Sequence, residues 1–197
     1  MENMKEIIAG QMKEMRARIE EHAGPDVCAE FFRDSEKAAA STNPVDNALW
    51  MKEAIDRLDT STDKKTRENI MTACGHACLT VNIKGMEASK EVRRKCATEE
   101  EFLNIELNAQ PDITRFERNG EIINWYYTPR KIGKGIHCFC PLLSMLPEGI
   151  NVSLTYCQCS RAFVQAYWEG ILGRPIKVEL GETSITGAEE CKFIIHL

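Results

Sequence analysis

The sequence predicts an α+β fold in which helices come first and antiparallel strands follow. Apolar residues recur at helical spacing through the first half of the chain. In the second half, β-branched and aromatic residues flank glycine-containing turn signals, which is typical of hairpins. One further helix lies among those strands in sequence and is expected to pack on the sheet.

Capping and stop signals set the helix boundaries in the first half. Asn43 followed by Pro44 is an N-cap with proline at the first helical position. Thr98 with Glu101 makes a capping box, and Gly24-Pro25 stops the first helix. The predicted spans are residues 2–22, about 26–40, from Pro44 through Leu58, from Thr62 or Asp63 through Val81, and a short helix capped by Thr98 that ends before Pro111.

Two hairpins, a strand and a helix are predicted in the second half. ITRFERNGEIINWYY is expected to be a hairpin with Asn119-Gly120 at its turn. GINVSLTYCQC has the pattern of a strand, and the following helix, capped by Ser160 or Cys159, ends at Gly173. The last segment, residues 174–197, is expected to be the final hairpin. We therefore divide the chain into a helical extension, 1–60, and an α+β domain, 61–197, joined in one continuous globular unit.

Charge and composition exclude some classes of partner. The net charge of −5 and the pI near 5.5 argue against nucleic acid or an anionic membrane as the main partner. No apolar run approaches a membrane span, and the N-terminus lacks the apolar core of a signal peptide. The sequence predicts a cytoplasmic protein and leaves open whether it forms a homodimer.

Cysteine is unusually frequent. The chain has nine cysteines, and an odd number without an export signal argues against a disulfide framework. Cys28 and Cys96 stand alone and are expected to be packing residues. Six others form three close pairs, which points to metal binding or redox chemistry. The pairs are Cys74/Cys78, Cys138/Cys140 and Cys157/Cys159.

Each pair is expected to present two sulfurs on one face. Cys74 and Cys78 are four residues apart on a predicted helix. The other two pairs have the C-x-C spacing, which places both thiols on one face of an extended segment. His76 is a weaker candidate, because a regular helix turns it away from Cys74 unless Gly75 breaks the helix. Four of the six sulfurs are the predicted ligand set; Cys191 is also a weaker candidate.

Thiolate ligands favour zinc or, alternatively, an iron–sulfur cluster, and exclude magnesium and calcium. Cys157 and Cys159 lie where a helix begins, so its positive end should favour the thiolate form, with Arg161 adding to this if it folds back. A thiol nucleophile is a further hypothesis, with Cys159 attacking and His76 or His137 as base.

The last forty or so residues resemble a known family. A cysteine ahead of a helix, the step Trp168–Gly170, the segment ILGRP and the spacing from Gly187 through Cys191 to Phe193 are similar to the end of the 4-vinyl reductase small-molecule-binding domain. The same stretch resembles the L-2-amino-thiazoline-4-carboxylic acid hydrolase family. These resemblances imply an α+β fold, a hydrophobic or heterocyclic ligand and cysteines that hold zinc. Where the first family usually has a further cysteine, Thr183 and Ser184 stand here.

Three functional hypotheses follow. The leading one is a zinc-thiolate protein that binds a small hydrophobic or heterocyclic molecule. The first alternative is an iron–sulfur or thiol redox protein. The second alternative is a hydrolase of a small C–N substrate, and whether the chain is an enzyme at all is left open.

Overall fold

The structure, a computed structural model, describes residues 2–109, 114–128, 131–132, 135–136, 138 and 140–197. It confirms the α+β class: helices occupy the first half and an antiparallel sheet the second. The helices are α1 (Glu2–Phe31), α2 (Ser35–Ala40), α3 (Pro44–Ser61), α4 (Lys64–Val81), α5 (Ile83–Lys95), α6 (Glu99–Glu106) and α7 (Gln158–Leu172).

Four strands form the main sheet, in the order β1-β2-β6-β5, and all pairs are antiparallel. A separate two-stranded sheet joins β3 to β4. The strands are β1 (Thr114–Asn119), β2 (Ile122–Tyr127), β3 (Lys131–Ile132), β4 (Gly135–Ile136), β5 (Lys177–Leu180) and β6 (Cys191–His196). β5 and β6 are the predicted final hairpin, with a short 3-10 turn at Ser184–Thr186 between them.

The predicted helix starts are confirmed by their caps. The side chain of Asn43 accepts the Val45 N–H at 3.1 Å, and that of Thr98 accepts the Glu101 N–H at 3.1 Å. Helix α5 was not predicted as a separate element. It begins at Ile83, its N-cap residue Asn82 makes no side-chain cap hydrogen bond, and it buries only Met86 and Ser89.

The first helix bends where a stop was predicted. Gly24 has φ 84° and ψ 171°, which breaks the helical path ahead of Pro25, but helical turns resume at once and run to Phe31. The predicted helix over residues 26–40 is thus divided into the end of α1 and the separate α2.

The predicted strand ahead of α7 is wrong. Residues 151–153 have no regular structure, residues 154–157 form a turn, and α7 begins at Gln158. Val152 and Tyr156 are buried while Leu154 between them is 46% exposed, so the buried positions lie four apart instead of two. The Val152 N–H donates to the Ile185 carbonyl at 3.1 Å, which anchors this segment to the 3-10 turn.

The first hairpin is confirmed, with its turn one residue later than predicted. Asn119 pairs with Ile122, so Gly120 and Glu121 form the two-residue loop. Gly120 has φ 60°, a conformation that glycine adopts without steric cost. This hairpin supplies two strands of the sheet and places Trp125 and Tyr127 of β2 on its buried face.

Two hydrophobic clusters form the core. The first joins α1, α3 and α4 to the segment between Leu142 and Cys157. The second lies between the main sheet and helices α5, α6 and α7, with Trp168 fully buried at its centre. Helices α4 and α7 contribute to both clusters and pack against each other, so their crossing lies where the two halves of the core meet.

A buried polar network ties the helices of the second cluster together. Glu106 is 5% exposed and accepts hydrogen bonds from the hydroxyls of Ser89, at 2.8 Å, and Tyr167, at 3.1 Å. The two hydroxyls are themselves 2.8 Å apart. Buried polar groups are tolerated when they are paired in this way, and here the pairing fixes α5, α6 and α7 relative to one another.

No helix among the described residues combines the length and the apolar character that crossing a membrane requires.

Candidate metal centre

Helices α4 and α7 touch at Gly75. A Cβ at Gly75 would lie 2.4 Å from the Cys159 carbonyl oxygen, 2.8 Å from the Ala162 Cβ and 2.9 Å from the Phe163 nitrogen. Only a residue without a side chain allows the two backbones to come this close. The crossing brings Cys74 and Cys78, on either side of Gly75, to the first turn of α7.

Electrostatic interactions link the six paired cysteines at and beside this crossing. We call them the thiol cluster, which comprises Cys74, Cys78, Cys138, Cys140, Cys157 and Cys159. Burial raises the pKa of Cys159 well above its usual range, and the thiolate charges of Cys140, Cys74 and Cys78 raise it further, in that order. Sulfurs from α4, from the loop before α7 and from α7 itself are therefore close enough to repel one another when ionised. Neither C-x-C pair is on a strand, contrary to the prediction.

Tyr156 lies next to the thiol cluster. Its hydroxyl lies 3.0 Å from the Cys140 Sγ, and it is 4% exposed. Burial raises the pKa of the Tyr156 phenol well above its usual range, with the charges of Cys140 and Cys138 adding to the effect. The tyrosine is thus a neutral hydrogen-bonding neighbour of the sulfurs, and nothing in the sequence other than its position beside Cys157 indicated it.

Cys191 lies beside Cys157 at the edge of the thiol cluster. Burial raises the pKa of Cys157, and the charge of Cys191 is the next cause. The Cys191 Sγ accepts the Ser184 N–H at 3.4 Å, and the side chain of Thr183 hydrogen-bonds to Cys157. Thr183 and Ser184, the two residues at the position where the resembling family carries a cysteine, therefore contact these two sulfurs.

In the part of the chain that the structure describes, at least three sulfurs accept N–H groups. The Cys140 N–H donates to the Cys138 Sγ at 3.4 Å, and the Asn82 side-chain amide lies 3.8 Å from the Cys78 Sγ. The third is Cys191. Hydrogen bonds of this kind stabilise a sulfur that carries negative charge and are one means by which proteins tune thiolate ligands.

Burial affects the pKa of the thiols at the start of α7 more than the positive end of the helix does. The expected thiolate preference at the start of α7 is outweighed, because burial raises the pKa of both Cys157 and Cys159. Arg161 does not fold back towards the sulfurs; its guanidinium donates to Gln158 and Gln165 instead. The cluster therefore holds neutral thiols at neutral pH unless a cation replaces their protons.

His76, the histidine candidate that the structure describes, is not part of the cluster. Helix α4 continues without a break through Gly75, and His76 is exposed on the side away from Cys74 and Cys78. His137 lies outside the described residues. Cys28 packs in the first core cluster, where its Sγ lies 3.6 Å from the Arg16 carbonyl oxygen, and Cys96 is half-buried at the border of the second.

The sulfurs lie near one another but are not arranged with the geometry of a metal site. Within the described part of the chain, no three histidine, cysteine, aspartate or glutamate side chains stand in an arrangement that could hold a metal ion. Zinc–sulfur bonds are about 2.3 Å long, so the sulfurs would have to rotate towards a common point to form them.

The buried thiols make the metal-free protein sensitive to alkali. Burial raises the pKa of Cys74 from 9.0 to about 12. The folded state then keeps a proton that the unfolded state releases, so this contribution to stability is complete below pH 9.0 and is lost as the pH rises towards about 12. Between pH 9 and 10 we expect the unfolding free energy of the reduced, metal-free protein to fall by up to about 1.4 kcal/mol through Cys74 alone.

Urea denaturation at both pH values measures this change, with Cys74→Ala as the matched variant. The variant should show a smaller fall with pH than the wild type. An identical fall in both proteins would contradict the assignment of a buried, protonated Cys74.

The fold and the cysteines together define an α+β protein with a buried thiol cluster at the crossing of two core helices. Residues 3–197 match DUF6144, a family of unknown function, and the chain belongs to that family. No curated protein matches the sequence. The relation to the 4-vinyl reductase domain stays a prediction from the C-terminal pattern.

Proposed function

We propose that this protein binds zinc through the thiol cluster. The observation that carries the proposal is that buried and half-buried sulfurs from three separate segments lie within electrostatic reach of one another at the Gly75 crossing. Soft thiolates select zinc over hard cations such as magnesium and calcium. A zinc ion also removes the electrostatic cost of placing several thiolates together, since its charge offsets their mutual repulsion.

Four sulfurs are the best candidates for ligands: Cys74, Cys78, Cys140 and Cys159. The charges of Cys140, Cys74 and Cys78 each act on Cys159, that of Cys78 acts on Cys74, and that of Cys140 acts on Cys78, so the four sulfurs lie within electrostatic reach of one another. Cys138 then serves as a neighbour that accepts the Cys140 N–H. Four protein sulfurs close a tetrahedral zinc site, which is the pattern of a structural rather than a catalytic metal.

The hydrolase hypothesis has less support. A thiol nucleophile needs a lowered pKa or an adjacent base. Burial raises the pKa of Cys159, and His76 is exposed on the other side of α4. The small-molecule ligand remains a prediction that rests on the family resemblance.

Cobalt(II) substitution tests the ligand set. Reduced, metal-free protein titrated with cobalt should develop the intense visible absorption of a tetrahedral thiolate site, and Cys140→Ser should weaken it. Cys96→Ser, which changes a cysteine outside the cluster, should leave the spectrum as in the wild type. A weak pink spectrum of octahedral cobalt in the wild type would contradict the proposal.

The same sulfurs could hold an iron–sulfur cluster, the alternative with the same ligands. Protein purified under nitrogen would then be brown and would lose its colour in air. A colourless preparation that contains zinc excludes this alternative.

A further inference from the structure

The main sheet has an edge beside α7 that no described strand covers. β5 pairs with β6 on one side only. A groove of about 630 Å³ lies between that edge and α7. It is lined by Arg161, Gln165 and Glu169 from α7 and by Pro175, Ile176, Lys177 and Val178 from the approach to β5 and the strand itself.

The hydrogen-bond alternation of the sheet directs backbone groups of β5 into this groove. The Gly181 N–H donates to the Lys192 carbonyl at 2.8 Å. Because hydrogen-bonded pairs alternate along an antiparallel ladder, the backbone N–H and C=O groups of Glu179 and Lys177 also point towards β6. The N–H and C=O of Val178 then point outward. The Ile176 N–H, two residues earlier, does so as well, since it donates to the Glu169 Oε1 at 3.1 Å.

The Glu169 carboxylate in the groove already accepts N–H groups of Gln165 and Ile176, each at 3.1 Å. Two helical turns away, Arg161 places a positive charge in the groove. Its Nε donates to the Gln158 Oε1 at 2.7 Å and its Nη1 to the Gln165 Oε1 at 2.9 Å. Both partners are neutral, and within the described residues Arg161 forms no ion pair. Two amide oxygens thus hold a half-buried guanidinium in one orientation, and this leaves its charge available for an incoming carboxylate.

We propose that this groove binds an extended acidic peptide, which adds a strand to the free edge of β5 and places a carboxylate on Arg161. A groove between a helix and an edge strand suits this mode of recognition, in which backbone hydrogen bonds give affinity and side-chain contacts give specificity. From Arg161 to Glu169 the helix rises about 12 Å, the length of three or four extended residues. The proposal is independent of the zinc site.

The probe is the fluorescein-labelled peptide Val-Glu-Val-Glu-Val, compared by fluorescence anisotropy with the same peptide carrying lysine at both glutamate positions. The acidic peptide should bind at least about tenfold more tightly than the basic one. Arg161→Gln should reduce its affinity by about tenfold or more. Lys13→Gln on α1 removes the same charge far from α7 in the sequence and should change nothing.

N-methylation of the two central amides separates strand addition from simple charge attraction. The methylated acidic peptide should lose binding, because it can no longer pair with the edge of β5. Equal affinity for the acidic and basic peptides would overturn the proposal, as would unchanged binding by Arg161→Gln or by the methylated peptide. Complete displacement of the acidic peptide by an equal concentration of propionate would assign the groove to small carboxylates and would also overturn it.

Discussion

Replacing Cys159 with serine is expected to remove most of the bound zinc and to destabilise the protein by about 4 kcal/mol. This is the stabilisation that a ligand gives when its free concentration is about a thousand times its dissociation constant. Cys159 is one of the four proposed ligands, and the charges of the other three, Cys140, Cys74 and Cys78, all act on it. Zinc analysis and urea denaturation of the purified variant measure the two effects. Both should appear together, because a structural metal contributes its binding free energy to folding.

The metal-free state provides the internal control for Cys159→Ser. Without zinc, wild type and variant should differ by only about 1 kcal/mol, the scale of a small change in a buried side chain. Cys96→Ser should resemble the wild type with and without zinc. If Cys159→Ser were equally destabilising in the absence of zinc, its role would be packing and not metal binding.

Gly75→Ala is expected to destabilise the protein by about 2–3 kcal/mol, at the upper end of the cost of overpacking a core. The added Cβ would meet the Cys159 carbonyl oxygen at 2.4 Å and the Phe163 nitrogen at 2.9 Å. Both are backbone atoms, so α4 and α7 must move apart to admit a methyl group. The change should also weaken zinc binding, because it separates Cys78 from Cys159.

Gly85→Ala is the matched control on a neighbouring helix. A Cβ at Gly85 would meet nothing within 4 Å. There the better helix propensity of alanine should stabilise the protein by up to about 1 kcal/mol. Thermal denaturation of the two variants compares them directly. Stabilisation by both substitutions would contradict the close crossing of α4 and α7.

The sequence predicts best those structural features that depend on one residue type with one specific structural role, such as a helix cap or a turn. Asn43, Thr98 and Gly173 mark helix ends through caps that the structure contains. The hairpin around Gly120 followed from its turn residues. Cysteine pairing predicts a shared metal site, which stays a prediction; the structure shows that charges on sulfurs of the three pairs act on one another.

Other features depend on tertiary contacts and could not be predicted from local pattern. The segment before α7 alternates like a strand, but Val152 bonds to Ile185 and the chain turns instead. Burial reverses the effect expected of the helix end on Cys157 and Cys159. One signal was available: a glycine inside a helix pattern often marks close packing, and Gly75 lies between two cysteines of the cluster.

The central claim is that the thiol cluster binds zinc, and the metal content of protein purified without added metal tests it most directly. Mass spectrometry of the native protein and elemental analysis should find one zinc ion per chain. Cys159→Ser purified in parallel should lack it. Wild-type protein that stays metal-free, with all its thiols reduced and zinc supplied in the growth medium, would contradict the claim.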